Sequence, residues 1–251
     1  MGALADKTAL ITGASGIAEA TARLFVERGA RVMVLDKNPD KLEQLKADLE
    51  VETFEGDLLE ASTSSRAVGA ALSAFGKLDI LVNVAGGSGR RFGDGPVHEA
   101  SDEGWDFTMD VNVKTTFQMC RAALGAMMKQ GSGAIVNTAS VLGYAPAAEF
   151  FGTHAYAACN GARIALTKSM AAYYAPHGIR VNAVAPGLIA TPMSVRAQEN
   201  EAILEYVRAR QPLTGKLGAP GDVAEGILYL ATAPFVTGVV LEIAGGWSVA
   251  G

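Results

Sequence analysis

The sequence predicts a doubly wound α/β fold, a parallel sheet of about seven strands with helices on both faces in a three-layer α/β/α sandwich. Three observations carry this. Short runs rich in Val, Ile and Leu recur without strict alternation, as strands buried on both faces do. Each run is followed by a turn and then a helical pattern, and that alternation builds parallel sheets. The chain also holds 29 glycines in 251 residues, a density that marks many tight turns and close backbone approaches.

In order, the expected strands are Thr8–Ile11, Arg31–Leu35, Val51–Phe54, Ile80–Val84, Ala134–Thr138, Arg180–Ala185 and Val239–Ile243. The helical patterns between them are Ala18–Arg28, Asp40–Leu49, Ser62–Phe75, Trp105–Gln130, Tyr156–Ala175 and Val223–Ala231. Gly29 and Gly178 stand where helix C-caps fall. No Pro/Gly/Ser-rich linker divides the chain, so residues 1–251 read as one domain. The stretch 188–215 breaks the rhythm; it is long, charged and bounded by Pro186 and Pro212, which suits a helical flap over a site.

Composition narrows the function classes. Apolar residues make up 49% and charged residues 19%, which excludes a disordered chain. Lys and Arg number 21 against 26 Asp and Glu, a net charge of −5, so a nucleic-acid partner is not expected. No apolar run reaches the length of a membrane span, and Met1 to Lys7 carries no signal-like core, so a cytoplasmic location without membrane partners is expected. Cys120 and Cys159 read as two buried free thiols, and no metal site is expected.

The first strand runs into Thr12-Gly13-Ala14-Ser15-Gly16-Ile17-Ala18 and then a helix. A glycine loop at that junction brings backbone N–H groups of Gly13, Ser15, Gly16 and Ile17 to a pyrophosphate at the helix N-terminus. Asp36 ends the second strand, where an acidic side chain meets adenosine ribose hydroxyls and repels a 2′-phosphate. NAD is therefore the expected cofactor, with Lys37 next door tempering the preference.

Further motifs in the right order make the chain resemble the short-chain dehydrogenase/reductase family from Lys7 to Gly246. Asp57-Leu58 follows the third strand, where the family contacts adenine. Asn83-Val84-Ala85-Gly86 is similar to the family's Asn-Asn-Ala-Gly. Asn112 resembles its structural and proton-relay Asn, Ser140 its catalytic Ser and Tyr156 its catalytic Tyr. Pro186-Gly187 with Thr191 resembles the loop that touches the nicotinamide carboxamide. The resemblance implies a Rossmann-type fold, a nicotinamide cofactor, a small-molecule substrate, a homotetramer, and interconversion of a secondary alcohol and a ketone.

Two departures fall inside the motifs. The glycine loop is one residue short of the family's Thr-Gly-x-x-x-Gly-x-Gly, and Ala18 replaces its third glycine. The family's Tyr-x-x-x-Lys reads Tyr156-Ala157-Ala158-Cys159-Asn160. Asn160 shares a helix face with Tyr156 and is expected where the Lys points, donating to ribose hydroxyls without charge. Arg163, two turns along roughly the same face, reads first as an interface or surface charge, with a distant cation for Tyr156 as the alternative, and Lys168 lies too far round the helix to substitute. The departures leave an alternative open: acid–base chemistry without redox (isomerase, dehydratase or lyase) or weakened activity. Tyr144, Phe150, Phe151 and Met193 suggest an apolar, cyclic or aromatic substrate. Arg90 and Arg91 read first as a solvated loop, with contact to an anionic substrate group as the alternative, and His154 as a local structural group.

Overall fold

β1 (Thr8–Thr12) buries all five of its side chains. A strand with no solvent face belongs at the centre of a sheet covered on both sides. It pairs in parallel with β2 (Arg31–Asp36) on one side and with β4 (Ile80–Asn83) on the other. β3 (Val51–Glu55) closes one edge beyond β2, and β5 (Gly133–Thr138), β6 (Ile179–Pro186) and β7 (Val240–Ile243) extend the other. The seven-stranded order is β3-β2-β1-β4-β5-β6-β7, all parallel. The computed structural model describes residues 2–250.

The helices follow the strands. α1 (Ile17–Glu27) and α2 (Pro39–Asp48) connect the first three strands, and α3 (Thr63–Phe75) leads to β4. α4 (Asp102–Met109) and α5 (Thr115–Gln130) precede β5, and α6 (His154–Tyr174) precedes β6. α7 (Val195–Gln198) and α8 (Glu201–Arg210) fill the expected flap, and α9 (Pro220–Thr232) leads to β7. Local chemistry sets several ends: Asn38 accepts a bond from Lys41 N with Pro39 opening α2, and Ser101 accepts one from Gly104 N at the start of α4.

The two sheet faces carry separate cores. Phe25, Leu42, Leu45 and Ile227 of α1, α2 and α9 pack against Ile11, Val34 and Val82. Val68, Met119, Met127 and Met170 of α3, α5 and α6 pack against Leu10, Leu35, Leu81 and Ile135. Each such side chain contributes about 1.5–3 kcal/mol on burial, so both layers are firmly seated.

One expected element differs. The single helix read over Trp105–Gln130 begins at Asp102 and is interrupted by a π-helical turn over Asp110–Lys114. Such turns widen the i→i−4 ladder and free a carbonyl for other partners. Asn112 lies inside this one.

Candidate active site

Strand order reverses between β1 and β4, and a crevice opens beyond the strand ends at that point. A cleft of about 270 Å³ occupies it. Gly13, Ser15 and Ile17 line one wall, Asp36, Asp57 and Leu58 the far end, and Ala85 and Gly86 the floor. A second cavity of about 710 Å³ lies under the flap, lined by Ser140, Phe151, Met193 and Trp247 among others. Tyr156, Thr138 and Thr191 line both.

The shortened glycine loop folds down onto β2. Gly13 N donates to Leu35 O at 2.7 Å, and Ala14 N donates to Asp36 Oδ2 at 2.8 Å. Asp36 Oδ1 accepts from Asn38 N at 2.8 Å. Each carboxylate oxygen keeps a second acceptor site. Among the described residues, the N–H groups of Ser15, Gly16 and Ile17 have no protein acceptor. They are the free amides at the start of α1. Gly16 has φ 56°, and a Cβ there would press on the Thr191 side chain, about 3.0 Å away. Lys37 is held 3.6 Å from Asp57.

Tyr156 sits in the first turn of α6, which Asp94 holds from another part of the chain. Asp94 is 4% exposed; its Oδ1 accepts from Ala155 N and its Oδ2 from Tyr156 N, each at 3.0 Å. A carboxylate on the free amides of a helix N-terminus is favourable on charge as well as bonding. Asp94 escaped the sequence reading because its partners lie some 60 residues away and no spacing rule links them.

Arg163 overturns its reading as a surface charge. It is 3% exposed and lines the cleft rather than the surface. Its Nε donates to Asn112 O at 3.0 Å and to Thr116 Oγ1 at 3.1 Å, its Nη1 to Thr138 O at 2.8 Å and its Nη2 to Ala85 O at 2.9 Å. The carbonyl freed in the π turn is thus capped by a guanidinium. Among the described residues no carboxylate pairs with Arg163, so its charge is buried and uncompensated by an acid. A Cβ on Gly86 would crowd Arg163 Nη2 at 3.1 Å, so glycine there is what lets the chain pass. Burial pushes the Tyr156 phenol up from its ordinary value, while the Arg163 charge and the polar groups of Asn160 and Ser140 pull it down.

Asn160 departs from expectation too. It is fully buried, it does not line the cleft, and its Nδ2 donates back to Tyr156 O at 2.8 Å. A short amide at this position reaches the backbone carbonyl one turn before it. Asn83 likewise lines neither cavity: buried at its strand end, it donates to Asn137 Oδ1 on the neighbouring strand at 2.9 Å. Pro186 and Gly187 line the larger cavity rather than the cleft. Asn112 Nδ2 donates to Gly87 O and Thr108 O, each at 2.8 Å, and its Oδ1 accepts from Gly87 N.

The remaining candidates sort by geometry. Ser140 lines the substrate-side cavity, and its Oγ accepts from Leu142 N. Phe151 lines the cavity and stacks edge-on against Trp247, whereas Phe150 packs on Tyr206 and Tyr144 donates to Glu242 at 2.8 Å. His154 Nδ1 accepts from Val97 N, the local role expected of it. Burial pushes the Cys120 and Cys159 thiols up to about 12, so both stay protonated.

The chain matches the family described as Enoyl-(Acyl carrier protein) reductase over residues 11–248. It is 36% identical over 254 residues to 2,5-dichloro-2,5-cyclohexadiene-1,4-diol dehydrogenase of Sphingobium indicum, covering 98% of each chain. It is 38% identical over 253 residues to 2-(R)-hydroxypropyl-CoM dehydrogenase of Xanthobacter autotrophicus, covering 97% of this chain and 99% of the relative. A short-chain type dehydrogenase/reductase from Mycobacterium ulcerans superposes with a TM-score of 0.89 at 30% identity, covering 98% of this chain and 91% of that one. The chain belongs to the short-chain dehydrogenase/reductase family.

As a short-chain dehydrogenase/reductase it is an oxidoreductase of the alcohol dehydrogenase/ketone reductase type, in a family that uses a nicotinamide cofactor. The residues present fit that group: Ser15 and Ile17, two residues with free amides at the start of α1, line a crevice with an acidic far end. No helix of the described residues is long and apolar enough to cross a membrane.

Proposed function

We propose that this short-chain dehydrogenase/reductase interconverts a secondary alcohol and a ketone with NAD(H), on an apolar, cyclic or aromatic substrate. The observation that carries the reading is Tyr156 at the junction of the two cavities, with the buried Arg163 charge bearing on its phenol. The amides of Ser15, Gly16 and Ile17 would hold the pyrophosphate and Asp36 the adenosine ribose, with Asp57 and Leu58 against the adenine. Lys37 is engaged by Asp57, which leaves Asp36 to oppose a 2′-phosphate. The apolar wall of Phe151, Met193 and Trp247 supports the substrate class, as does the cyclic diol in the name of the Sphingobium relative.

When bound, the nicotinamide supplies the hydride in reduction and accepts it in oxidation. The chain's own residues handle the proton. In reduction Ser140 donates a hydrogen bond to the substrate carbonyl, and neutral Tyr156 gives that oxygen its proton. In oxidation the Tyr156 phenolate takes the proton from the hydroxyl, and Arg163 stabilises that phenolate. Arg163 holds its charge but passes no proton, because a guanidinium is not deprotonated in proteins. Asn112 therefore positions the Arg163 and Gly87 backbone contacts rather than relaying protons through this path.

The enzyme is further proposed to be a cytoplasmic homotetramer of single-domain subunits with 188–215 as flap. Trp105, Phe117 and Tyr173 are exposed on α4–α6, and Tyr229, Phe235 and Val239 around α9 and β7. Two separate apolar surfaces, each pairing with its own copy, generate a dihedral tetramer. The deciding experiment titrates NADH and NADPH by fluorescence and assays a panel of cyclic and aromatic alcohols and ketones. NADH binding with turnover on part of the panel is expected; binding of neither coenzyme would remove the proposal.

A further inference from the structure

The charged groups lining the larger cavity are Arg90, Arg91 and Arg196, and no Asp or Glu lines it. That one-sided lining occurs in a chain whose acidic residues outnumber its basic ones, 26 to 21. Arg90 comes from a 3₁₀ turn after β4 and Arg196 from α7 in the flap. The fold brings them to one acceptor: Arg90 Nη2 donates to Phe150 O at 3.4 Å and Arg196 Nη2 to the same oxygen at 3.2 Å. Among the described residues, none of the three arginines forms an ion pair, and neither Glu149, next to Phe150, nor Glu199, three residues after Arg196, pairs with any of them. Two guanidiniums gathered without a carboxylate repel each other, and the Arg90 charge together with burial lowers the Arg196 pKa. Each carries five N–H donors, of which one carbonyl uses few. Planar forks of this kind match an oxyanion in bidentate fashion.

We infer that the substrate carries an oxyanion remote from its reacting carbon, and that Arg90 and Arg196 form the subsite that receives it. Such a substrate is amphiphilic: its apolar body lies along Phe151, Met193 and Trp247, its hydroxyl or carbonyl reaches Ser140 and Tyr156, and its anionic end meets the arginines. Carboxylate, sulfonate and phosphate monoester share this chemistry. Because Arg196 belongs to the flap and Arg90 to the body, the same anion joins the two.

The inference rests on the proposed redox reading only for turnover, so binding is measured separately. Phenylacetate, benzylsulfonate and benzyl phosphate are titrated calorimetrically into the full chain, with and without NADH, beside neutral phenylacetamide. At least one anion is expected to bind about tenfold or more tighter than the amide, and the best of the three identifies the oxyanion. The Arg90→Gln/Arg196→Gln double variant should bring that preference below about threefold, and Arg90→Lys/Arg196→Lys should restore part of it. Coenzyme affinity should stay unchanged in both. Equal binding of anions and amide, or a preference that survives in the Gln variant, would overturn the subsite. Turnover of neutral substrates without any anion preference sinks this inference alone. Anion preference without turnover on any alcohol or ketone upholds the subsite and counts against the dehydrogenase reading.

Discussion

The two cavities that meet at Tyr156 are built from different materials. The nucleotide cleft is made of strand ends, a glycine loop and the backbone of Ala85 and Gly86, all fixed by the order β3-β2-β1-β4. The substrate cavity adds to the ends of β5 and β6 a set of side chains from a 3₁₀ turn, the loop before α6 and the flap. Backbone sites depend on chain topology, so they persist when individual side chains change. Side-chain sites depend on which residues happen to converge, and they carry the specificity. Arg163 and the pair Arg90 and Arg196 show the difference on one residue type. The first is buried and bound to fixed carbonyls and a Thr hydroxyl; the others stand at a rim with donors to spare.

The largest expected effect tests the junction itself. Tyr156→Phe should lower turnover about 10²–10⁴-fold, the range of general acid–base catalysis, while coenzyme affinity and the thermal midpoint stay near those of the parent. A variant retaining more than a tenth of the parent rate would remove Tyr156 from the chemistry. Arg163→Met comes next and breaks the backbone-held side. It leaves the carbonyls of Thr138 and Ala85 without the guanidinium donor, while Asn112 O keeps that of Thr116 Oγ1, for an expected loss of about 2–4 kcal/mol in urea unfolding. Because Arg163 pulls the Tyr156 phenol down, its removal should move the acidic limb of the oxidation pH profile upward, each unit being about 1.36 kcal/mol of lost phenolate stabilisation. Profiles that overlay at saturating coenzyme would show that Arg163 is structural only.

Smaller effects sharpen the comparison at the ends of the cleft. The parent should prefer NADH over NADPH by at least about tenfold, or 1.4 kcal/mol, and Asp36→Ser should erase most of that difference. The same variant should lose about 1 kcal/mol of stability, since Asp36 also receives the Ala14 and Asn38 amides. The smallest change is expected from Asn160→Ala, whose coenzyme dissociation constant should stay within about threefold of the parent, or ~0.65 kcal/mol. A larger loss would mean that Asn160 reaches the ribose after all.

The contrast also explains what could be read in advance. Buried apolar runs are local signals, so the strands and most helices were legible to within a few residues, and the glycine loop with Asp36 marked the cleft. The π turn at Asp110–Lys114 was not, because its pattern of apolar residues is that of a continuous helix. Arg163 was visible as a residue with two readings, a surface charge or a distant cation: periodicity gives a helix face, but not the carbonyls that the face meets. Asn160 was placed on the right face with the wrong reach, since a short side chain satisfies itself on its own helix. Asp94 and Arg196 carried no local signal, because their partners are brought in only by tertiary folding.

Gly16 leaves open the space beside Thr191 that a Cβ would fill. The glycine loop opens α1, and Thr191 opens the short turn that leads into the flap. Ile17, Thr191 and Met193 border both spaces, so a molecule filling one reshapes a wall of the other. Whatever factor the first occupant adds to the grip on the second, the second returns to the first. With coenzyme in the cleft and substrate in the cavity, as proposed, titrating each in the presence of the other should therefore shift both dissociation constants by one common factor.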